Sequence, residues 1–220
     1  MRNYAIVVAA GQGRRFGGTK QFHAFHGIPI FVYSLQSFQR NTHIDSIILV
    51  VPGNKTRTVR KLIKEFKLTK VKKIVVGGRR RQDSVSNGLD QIGKQSGIAL
   101  IHDAVRPLVA QSLIDKGIKL CKKYKAVIFG TAIGDTIKEA RNHRILHTVP
   151  RHNLFLVQTP QFFDIRLLKK AFQQNTLDNE YTDEAGLLEA QGIPVYIFQG
   201  RRDNIKVTKK DDLKLIEKLR

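Results

Sequence analysis

Cysteine is almost missing from this chain. There is one among 220 residues, Cys121, so no intramolecular disulfide can form, and no Cys/His spacing suits a zinc site. Tryptophan is absent and methionine occurs once. Acidic residues are scarce, with 18 Asp and Glu against 39 Lys and Arg, for a formal net charge of +21. No apolar run approaches the length of a membrane span, and no signal-peptide pattern heads the sequence. A cytoplasmic protein without membrane contact is the expectation. No linker, repeat or low-complexity tract divides the chain, so residues 1–220 are read as one domain. A hydrophobic fraction of 41% is enough for a sizeable core. Cys121 falls in a helical apolar pattern and reads as a small core residue.

An excess of positive charge raises nucleic-acid binding as a function. Its distribution argues otherwise. The cations are spread over the chain, with bunches at Lys55–Lys73, Arg79–Arg81 and Lys116–Lys125, and there is no RNP, zinc-finger or basic-zipper pattern. A basic surface that attracts anionic substrates is the preferred reading, with no specific nucleic acid as partner. A basic nucleic-acid-binding α/β protein is the alternative.

What is present begins with the apolar run Tyr4–Ala10, which reads as a strand buried on both faces. It runs directly into Gly11-Gln12-Gly13-Arg14-Arg15, and Lys20 follows. Glycines let backbone N–H groups approach an anion, and the cations supply fixed positive charge at the same mouth. The dinucleotide fingerprint fails because Phe16 stands where its third glycine belongs. The Walker pattern fails because Thr19 stands where its lysine belongs. A polyphosphate site of neither kind is indicated, against the plainer possibility of an ordinary strand-to-helix turn with solvated arginines.

Apolar runs at Ala5–Ala10, Ser46–Val51, Lys73–Val76, Ile98–His102, Ala126–Phe129 and Val195–Phe198 alternate with helical patterns. The helical patterns are Ile30–Phe38, Thr56–Phe66, Ser84–Ile92, Ser112–Lys122, Arg166–Gln173, Asp183–Ala190 and a last one from about Lys209, with Thr208 and Asp211 as its capping box. This is βαβ alternation. It predicts a Rossmann-like α/β three-layer sandwich with a mostly parallel sheet and ligands at the carboxyl ends of the strands. The stretch 134–157 breaks the rhythm. Its alternating segments Thr136–Ala140 and Ile145–Val149, with Asn142-His143 as the turn, predict a protruding β-arm that a second subunit would cover.

Further clusters fall at strand ends. Gly77–Ser84 could receive a base and ribose or another phosphate, or simply cap a helix through Asp83. At His102–Pro107, Asp103 could hold Mg²⁺ beside phosphates, or pair with Arg106 in a turn. His102 is read as orienting that loop rather than as a metal ligand. Asp135–Lys138, Arg151, Gln158–Gln161 and Tyr181–Glu184 offer hydroxyls, amides and cations suited to a polyol phosphate, and Lys206 lies close behind the last strand.

The ordered series Ala9–Arg15, Lys20-Gln21, Gly77–Leu89, His102–Pro107, Asp135–Lys138, Gln158–Phe163, Thr182–Ala185 and Asn204–Thr208 resembles the 2-C-methyl-D-erythritol 4-phosphate cytidylyltransferases over nearly the whole chain. Ribitol-5-phosphate cytidylyltransferase is the nearest rival. Thr19, where the family often carries proline, and Val105, where it more often carries alanine, are departures. The resemblance implies transfer of CMP from CTP to a methylerythritol phosphate, with Mg²⁺ as cofactor, in non-mevalonate isoprenoid synthesis by a homodimer joined through the arm. It implies that Ala9, Ala10, Gly11 and Gly13 hold the nucleotide through backbone groups. Arg15 and Lys20 would face the triphosphate. Gly78, Asp83 and Ser84 would lie near cytosine and ribose, with Ala104 nearby. Asp103 would hold the metal and Lys206 would face the α-phosphate. Thr136, Arg151, Thr159 and Thr182 would contact the acceptor, the arm carrying Thr136 and Arg151 across from the partner subunit.

Overall fold

A computed structural model describes residues 1–11, 13, 16, 18–175 and 179–219. In chain order, β1 (Arg2–Val8) leads through a 3₁₀ turn at Lys20–Phe22 to β2 (Ala24–Phe25), β3 (Ile28–Pro29) and α1 (Ile30–Arg40). Next come β4 (Ser46–Val51), α2 (Thr56–Glu65), β5 (Val71–Val76), α3 (Arg81–Asp90), β6 (Gly97–Asp103), α4 (Gln111–Tyr124) and β7 (Ala126–Ala132). β8 (Ile137–Arg141) and β9 (Arg144–Val149) precede β10 (Phe155–Asp164), α5 (Ile165–Gln174), α6 (Glu184–Glu189), β11 (Tyr196–Gln199) and α7 (Asp211–Leu219).

Seven strands form one sheet in the order β11-β7-β10-β6-β1-β4-β5. All its neighbours run parallel except β10, which is antiparallel to both β6 and β7. Because side chains alternate across a strand, β1 feeds two cores. Ala5 and Val7 join Phe31, Leu35, Val59 and Ile114 on the face covered by α1, α2 and α4. Tyr4 and Ile6 join Val85, Leu89, Leu168 and Leu187 on the face covered by α3, α5 and α6. This is the three-layer α/β arrangement that the alternation predicts. The chain adds β4 and β5 on one side of β1 and then places β6 on the other. That reversal opens a crevice at the carboxyl ends of β1 and β6, the usual ligand position in open α/β sheets.

β10 carries the largest departure from the sequence reading. Pro160 lies inside it, where it cannot donate to the ladder, and the pairing with β7 shifts register between Gln158 and Phe162. The capping box at the last helix is also corrected. The Asp212 carboxylate, not Asp211, accepts from the N–H groups of Thr208 (2.6 Å) and Lys209 (2.8 Å), while Asp211 lies exposed near Lys214. Cys121 is a buried core residue, its thiol pushed up to about 12 by burial.

Among the described residues β8 and β9 pair only with each other, around Asn142 and His143, both with positive φ as a tight hairpin turn requires. Ile145 and Leu146 on this arm are exposed, as are Phe155, Leu156 and Val157 at the start of β10.

Close packing of α4 on the sheet depends on Gly117. A Cβ there would stand 2.2–2.5 Å from ring atoms of Phe162, which is fully buried. Gly117→Ala gains helix propensity but overpacks this contact. The expected result is a net loss of about 2 kcal/mol, read in thermal unfolding as a fall in Tm of roughly 5 °C. An unchanged or raised Tm would refute it.

Candidate functional site

The crevice holds an open cavity of about 530 Å³, within the usual range for a small-ligand site. Val8, Ala9, Ala10, Gly11 and Gly13 form one wall. Gly13 has φ +65°, and a Cβ on it would fall 1.8 Å from the carbonyl oxygen of Gly18, so only glycine closes this bend. Gln21, 2% exposed, fastens the bend from behind. Its side-chain N–H group donates to the carbonyls of Ala9 (2.7 Å) and Gly11 (2.8 Å). Lys20 then points into the cavity from the 3₁₀ turn.

The opposite wall is Gly78, Arg79, Arg80, Arg81 and Ser84, where β5 passes into α3. Gly77 lets this loop lie against β1, since a Cβ there would approach that of Ala10 to 2.3 Å. The Ser84 hydroxyl accepts from Gly78 N–H (3.1 Å) and donates to the Arg80 carbonyl (3.2 Å), which sets the loop on the helix. Asp83 does not line the cavity. It sits in the first turn of α3, accepts from Arg80 N–H (2.9 Å) and pairs with the Arg80 guanidinium (2.8 Å), so the capping alternative is the one observed.

Between the walls stands Asp103, the last residue of β6. Its two carboxylate oxygens are divided between two cations. Lys206 Nζ lies 2.6 Å from Oδ2 and Arg81 Nε 3.3 Å from Oδ1. Arg81 turns its other end to Glu184, with Nη1 at 2.8 and 3.0 Å from the two carboxylate oxygens. Burial alone would push the Asp103 carboxyl up, but Arg81 and Lys206, with Arg106 behind them, hold it well below the usual carboxylate range. Burial likewise works against the Arg81 cation, and Glu184 and Asp103 overcome it and hold the guanidinium above its ordinary value. Burial raises the Glu184 carboxyl against the pull of Arg81. Arg106 closes the turn through its N–H, which donates to the Asp103 carbonyl (3.0 Å), but its side chain does not pair with the Asp103 carboxylate. Its guanidinium donates to the carbonyls of Asn204 (2.7 Å) and Val157 (3.3 Å), tying the loop to the segment that carries Lys206. Val207 N–H donates to the Val105 carbonyl (2.8 Å) in the same junction.

His102 is fully buried and fixes the backbone beneath Asp103. A carbonyl can only accept, so Nε2 donates to Arg106 O (3.1 Å) and Nδ1 accepts from the Thr159 hydroxyl (3.0 Å). Thr159 Oγ1 in turn accepts from Asp103 N–H (3.1 Å). The imidazole is thus a neutral connector, and burial takes its pKa down to about 3.

The structure therefore gathers Ala9, Ala10, Gly11, Gly13, Lys20, Gly78, Ser84, Asp103 and Lys206 around one cavity. Ala104 is fully buried beside it, with its N–H donating to Val8 O (3.1 Å) and its carbonyl accepting from Ser34 (2.9 Å). Thr159 is 5% exposed and engaged as above. Thr136, Arg151 and Thr182 are exposed and do not line the cavity. Arg14 and Arg15 lie outside the described residues. Sequence reasoning missed the pairing of Arg81 with Asp103 and Glu184. Its only signal was the arginine run 79–81.

Among the described lining residues five cations, Lys20, Arg79, Arg80, Arg81 and Lys206, face a single carboxylate. Such a wall attracts polyphosphate. No three His, Cys, Asp or Glu side chains converge among the described residues. One carboxylate suffices for a Mg²⁺ that brings phosphate and water oxygens with it, so the donor set fits a substrate-borne metal and not a built cage. No described helix is long and apolar enough to cross a membrane.

Comparison with known proteins shows the family. The family model for 2-C-methyl-D-erythritol 4-phosphate cytidylyltransferase matches residues 4–219. A protein of that name from Dictyoglomus thermophilum is 42% identical over 216 residues, covering 96% of this chain and 94% of its own. One from Clostridium novyi is 41% identical over 223 residues, covering 99% and 96%. The crystal structure of 4-diphosphocytidyl-2C-methyl-D-erythritol synthase from Anaerococcus prevotii superposes with a TM-score of 0.85 at 28% identity over 99% of this chain and 95% of that one. The Francisella tularensis cytidylyltransferase structure gives 0.81 at 31% identity, covering 99% of both.

The neutral His102 has a consequence for acid stability. The unfolded chain takes up its proton as pH falls through the ordinary value of 6.5, whereas the folded chain does so only near 3. Stability is therefore lost as pH falls across that window, at up to about 1.4 kcal/mol per unit from this group. The depressed Asp103 carboxyl adds loss of the same sign at the acid end. Urea unfolding between pH 7 and 4.5 should show the slope, and it should flatten in His102→Gln, which has no proton to take up. An equal slope in the variant would count against the assignment.

Proposed function

The chain belongs to the 2-C-methyl-D-erythritol 4-phosphate cytidylyltransferase family, and we infer that its glycine-bend cavity is where that family's two substrates meet. The protein transfers CMP from CTP to 2-C-methyl-D-erythritol 4-phosphate, giving 4-diphosphocytidyl-2-C-methyl-D-erythritol and pyrophosphate in isoprenoid biosynthesis. The observation that carries the placement is the five-to-one excess of cations over carboxylates at the ends of β1 and β6.

The chemistry suits those groups. A phosphate oxygen of the acceptor attacks the α-phosphorus of CTP, and the bond from that phosphorus to the leaving pyrophosphate breaks. The nucleophile is already anionic at neutral pH, so no general base is needed. The barrier lies in bringing two anions together and in holding charge on the leaving group. Positioning and preorganised positive charge are the remedies. Backbone groups of Ala9, Ala10, Gly11 and Gly13 would approach the phosphates and Lys20 would face them. Arg15, outside the described residues, is assigned to the triphosphate by its place in the motif alone. Gly78 and Ser84 border the base and ribose, with Asp83 acting through its hold on Arg80. Lys206 pairs with Asp103 (2.6 Å), and a bound α-phosphate would offer it a second anion. Mg²⁺ held by Asp103 would add a further positive charge to the phosphates.

The acceptor side needs groups this chain leaves outside the cavity. Thr136 and Arg151 are exposed at the base of the arm. The arm is a two-stranded hairpin with Ile145 and Leu146 bare, a marginal element on its own. Both facts support a homodimer in which each arm reaches the partner's site. Thr182 is assigned to the acceptor by its place in the motif.

Pyrophosphate release with CTP and methylerythritol phosphate, run beside ribitol phosphate, tests the reading. Lys20→Ala and Lys206→Ala are each expected to lower turnover by about two or more powers of ten with an unchanged circular dichroism spectrum. Near-normal turnover in both would end this mechanism. Replacing 138–148 with a short turn should leave CTP binding in place, shift the protein to monomer in sedimentation, and abolish transfer. A shortened protein that remained dimeric and active would remove the arm from the site.

A further inference from the structure

Among the described residues Glu184, in the first turn of α6, is a charged group buried to 1% exposure that does not line the site cavity. Taking a carboxylate out of water is costly even when it is paired, and a buried ion pair adds little net stability over apolar packing. Fold stability alone therefore gives no reason for it. Its surroundings are ordered on purpose-built contacts. Asp183 caps α6 by accepting from Gly186 N–H (3.0 Å), and its other oxygen accepts from Gln161 on β10 (2.7 Å). Gln82, in α3 next to Arg81, donates to Asn179 O (2.9 Å) and accepts from Tyr181 N–H (2.8 Å). The start of α6 and the start of α3 are thereby locked together, with Glu184 and Arg81 between them.

We propose that Glu184 is a positioning residue for cytidylyl transfer, acting through Arg81 on Asp103. Both its oxygens are spent on one end of the guanidinium, at 2.8 and 3.0 Å, which leaves Nε facing Asp103 Oδ1 at 3.3 Å. The closer oxygen contact of Asp103 is then the one to Lys206, at 2.6 Å. With Glu184 in place, Arg81 is half neutralised and held back. Asp103 keeps its oxygens divided, Oδ2 on Lys206 at 2.6 Å and Oδ1 only in the longer 3.3 Å contact to Arg81, where a cation that accompanies the phosphates can compete for it. Without the Glu184 charge, Arg81 is free to close on Asp103 as a two-pronged pair, the geometry guanidinium and carboxylate favour. That would occupy both oxygens, displace Lys206 and spoil the phosphate site from a residue that never meets substrate. Lysine could not replace Arg81 here, because a single ammonium cannot span two carboxylates as a planar fork does.

The inference rests on the cytidylyltransferase reading, and its test separates the two. Single-turnover rates of CMP transfer are measured for the wild type, Glu184→Gln, Asp103→Asn and the double variant, with melting temperature and circular dichroism alongside. Glu184→Gln keeps the shape and an acceptor for Arg81 but not the charge. It is expected to lose about tenfold or more in rate with native dichroism, and the double variant is expected to be no slower than Asp103→Asn alone. Effects on contacting groups that act as a unit are non-additive in this way, whereas a merely structural role would multiply the two losses. Additive losses, or a wild-type rate in Glu184→Gln, overturn the proposal. So does a wild-type rate in Asp103→Asn, which would take away the group through which Glu184 acts. If Glu184→Gln does not fold, Arg81→Lys carries the same cycle, with the same expected loss and the same non-additivity. A wild-type protein that transfers no CMP would instead bring down the reading on which the inference stands.

Discussion

A carboxylate stands at the end of the strand β6, and the charge around it organises this site. β6 is buried along its whole length, and Asp103 closes it at the floor of the cavity. Left alone there it would be costly. Arg81 reaches it from the first turn of α3 and Lys206 from a segment 103 residues further along the chain. One anion thus fastens three distant stretches together. The cations it gathers are those a polyphosphate requires. A site that must hold positive charges close to one another gains from a resident anion that offsets their mutual repulsion.

The rest of the scaffold limits movement in that cluster. Gln21 clamps the glycine bend through two carbonyls, and Ser84 fixes the loop before α3. The Thr159 hydroxyl holds the Asp103 N–H and, through His102, the Arg106 carbonyl. Asn204 donates to the Thr159 carbonyl (2.8 Å), so the Lys206 segment is tied to the same relay. Phe16, Ile30, Val105, Val207 and Ile216 form a small apolar cluster beneath it. Positive charge fixed in this way needs no reorganisation at the moment of reaction, which is where electrostatic catalysis gets most of its advantage.

Much of this was legible in the residues. Hydrophobic periodicity marks the parallel strands and their helices, and the arm announces itself by alternation around Asn142-His143. The glycine bend, Asp103 and Lys206 are placed by their position just after strands. What the order of residues did not reveal is which neighbour points where. Asp83 and Arg81 are two positions apart, yet helical phase turns the first back on Arg80 and sends the second across to Asp103 and Glu184. The turn from Asp103 to Arg106, natural from their spacing, is present in the backbone, but the side-chain pairing yields to contacts that only the tertiary fold creates. β10 escaped notice because Pro160 interrupts its pattern and because an antiparallel strand joins two parallel neighbours without the helix that signals the others.

The large net charge bears on the proposed dimer. Two copies at +21 repel, and the arm itself bears Lys138, Arg141 and Arg144. At physiological ionic strength the repulsion fades over about 8 Å, so distant lysines on α2 or α4 count for little at an interface. Against the remainder stand Ile145, Leu146, Phe155, Leu156 and Val157, all exposed in a single chain. Fully burying an exposed side chain of this size contributes roughly 1.5–3 kcal/mol; these five are 37–61% exposed in the single chain, so each adds about half of that, set against a screened repulsion between surface charges. Association would also bring Arg151 toward an acceptor phosphate, so that a cation unfavourable at the interface becomes favourable at the site. Charge that opposes dimer formation in the empty protein would then favour the complex once both substrates are bound.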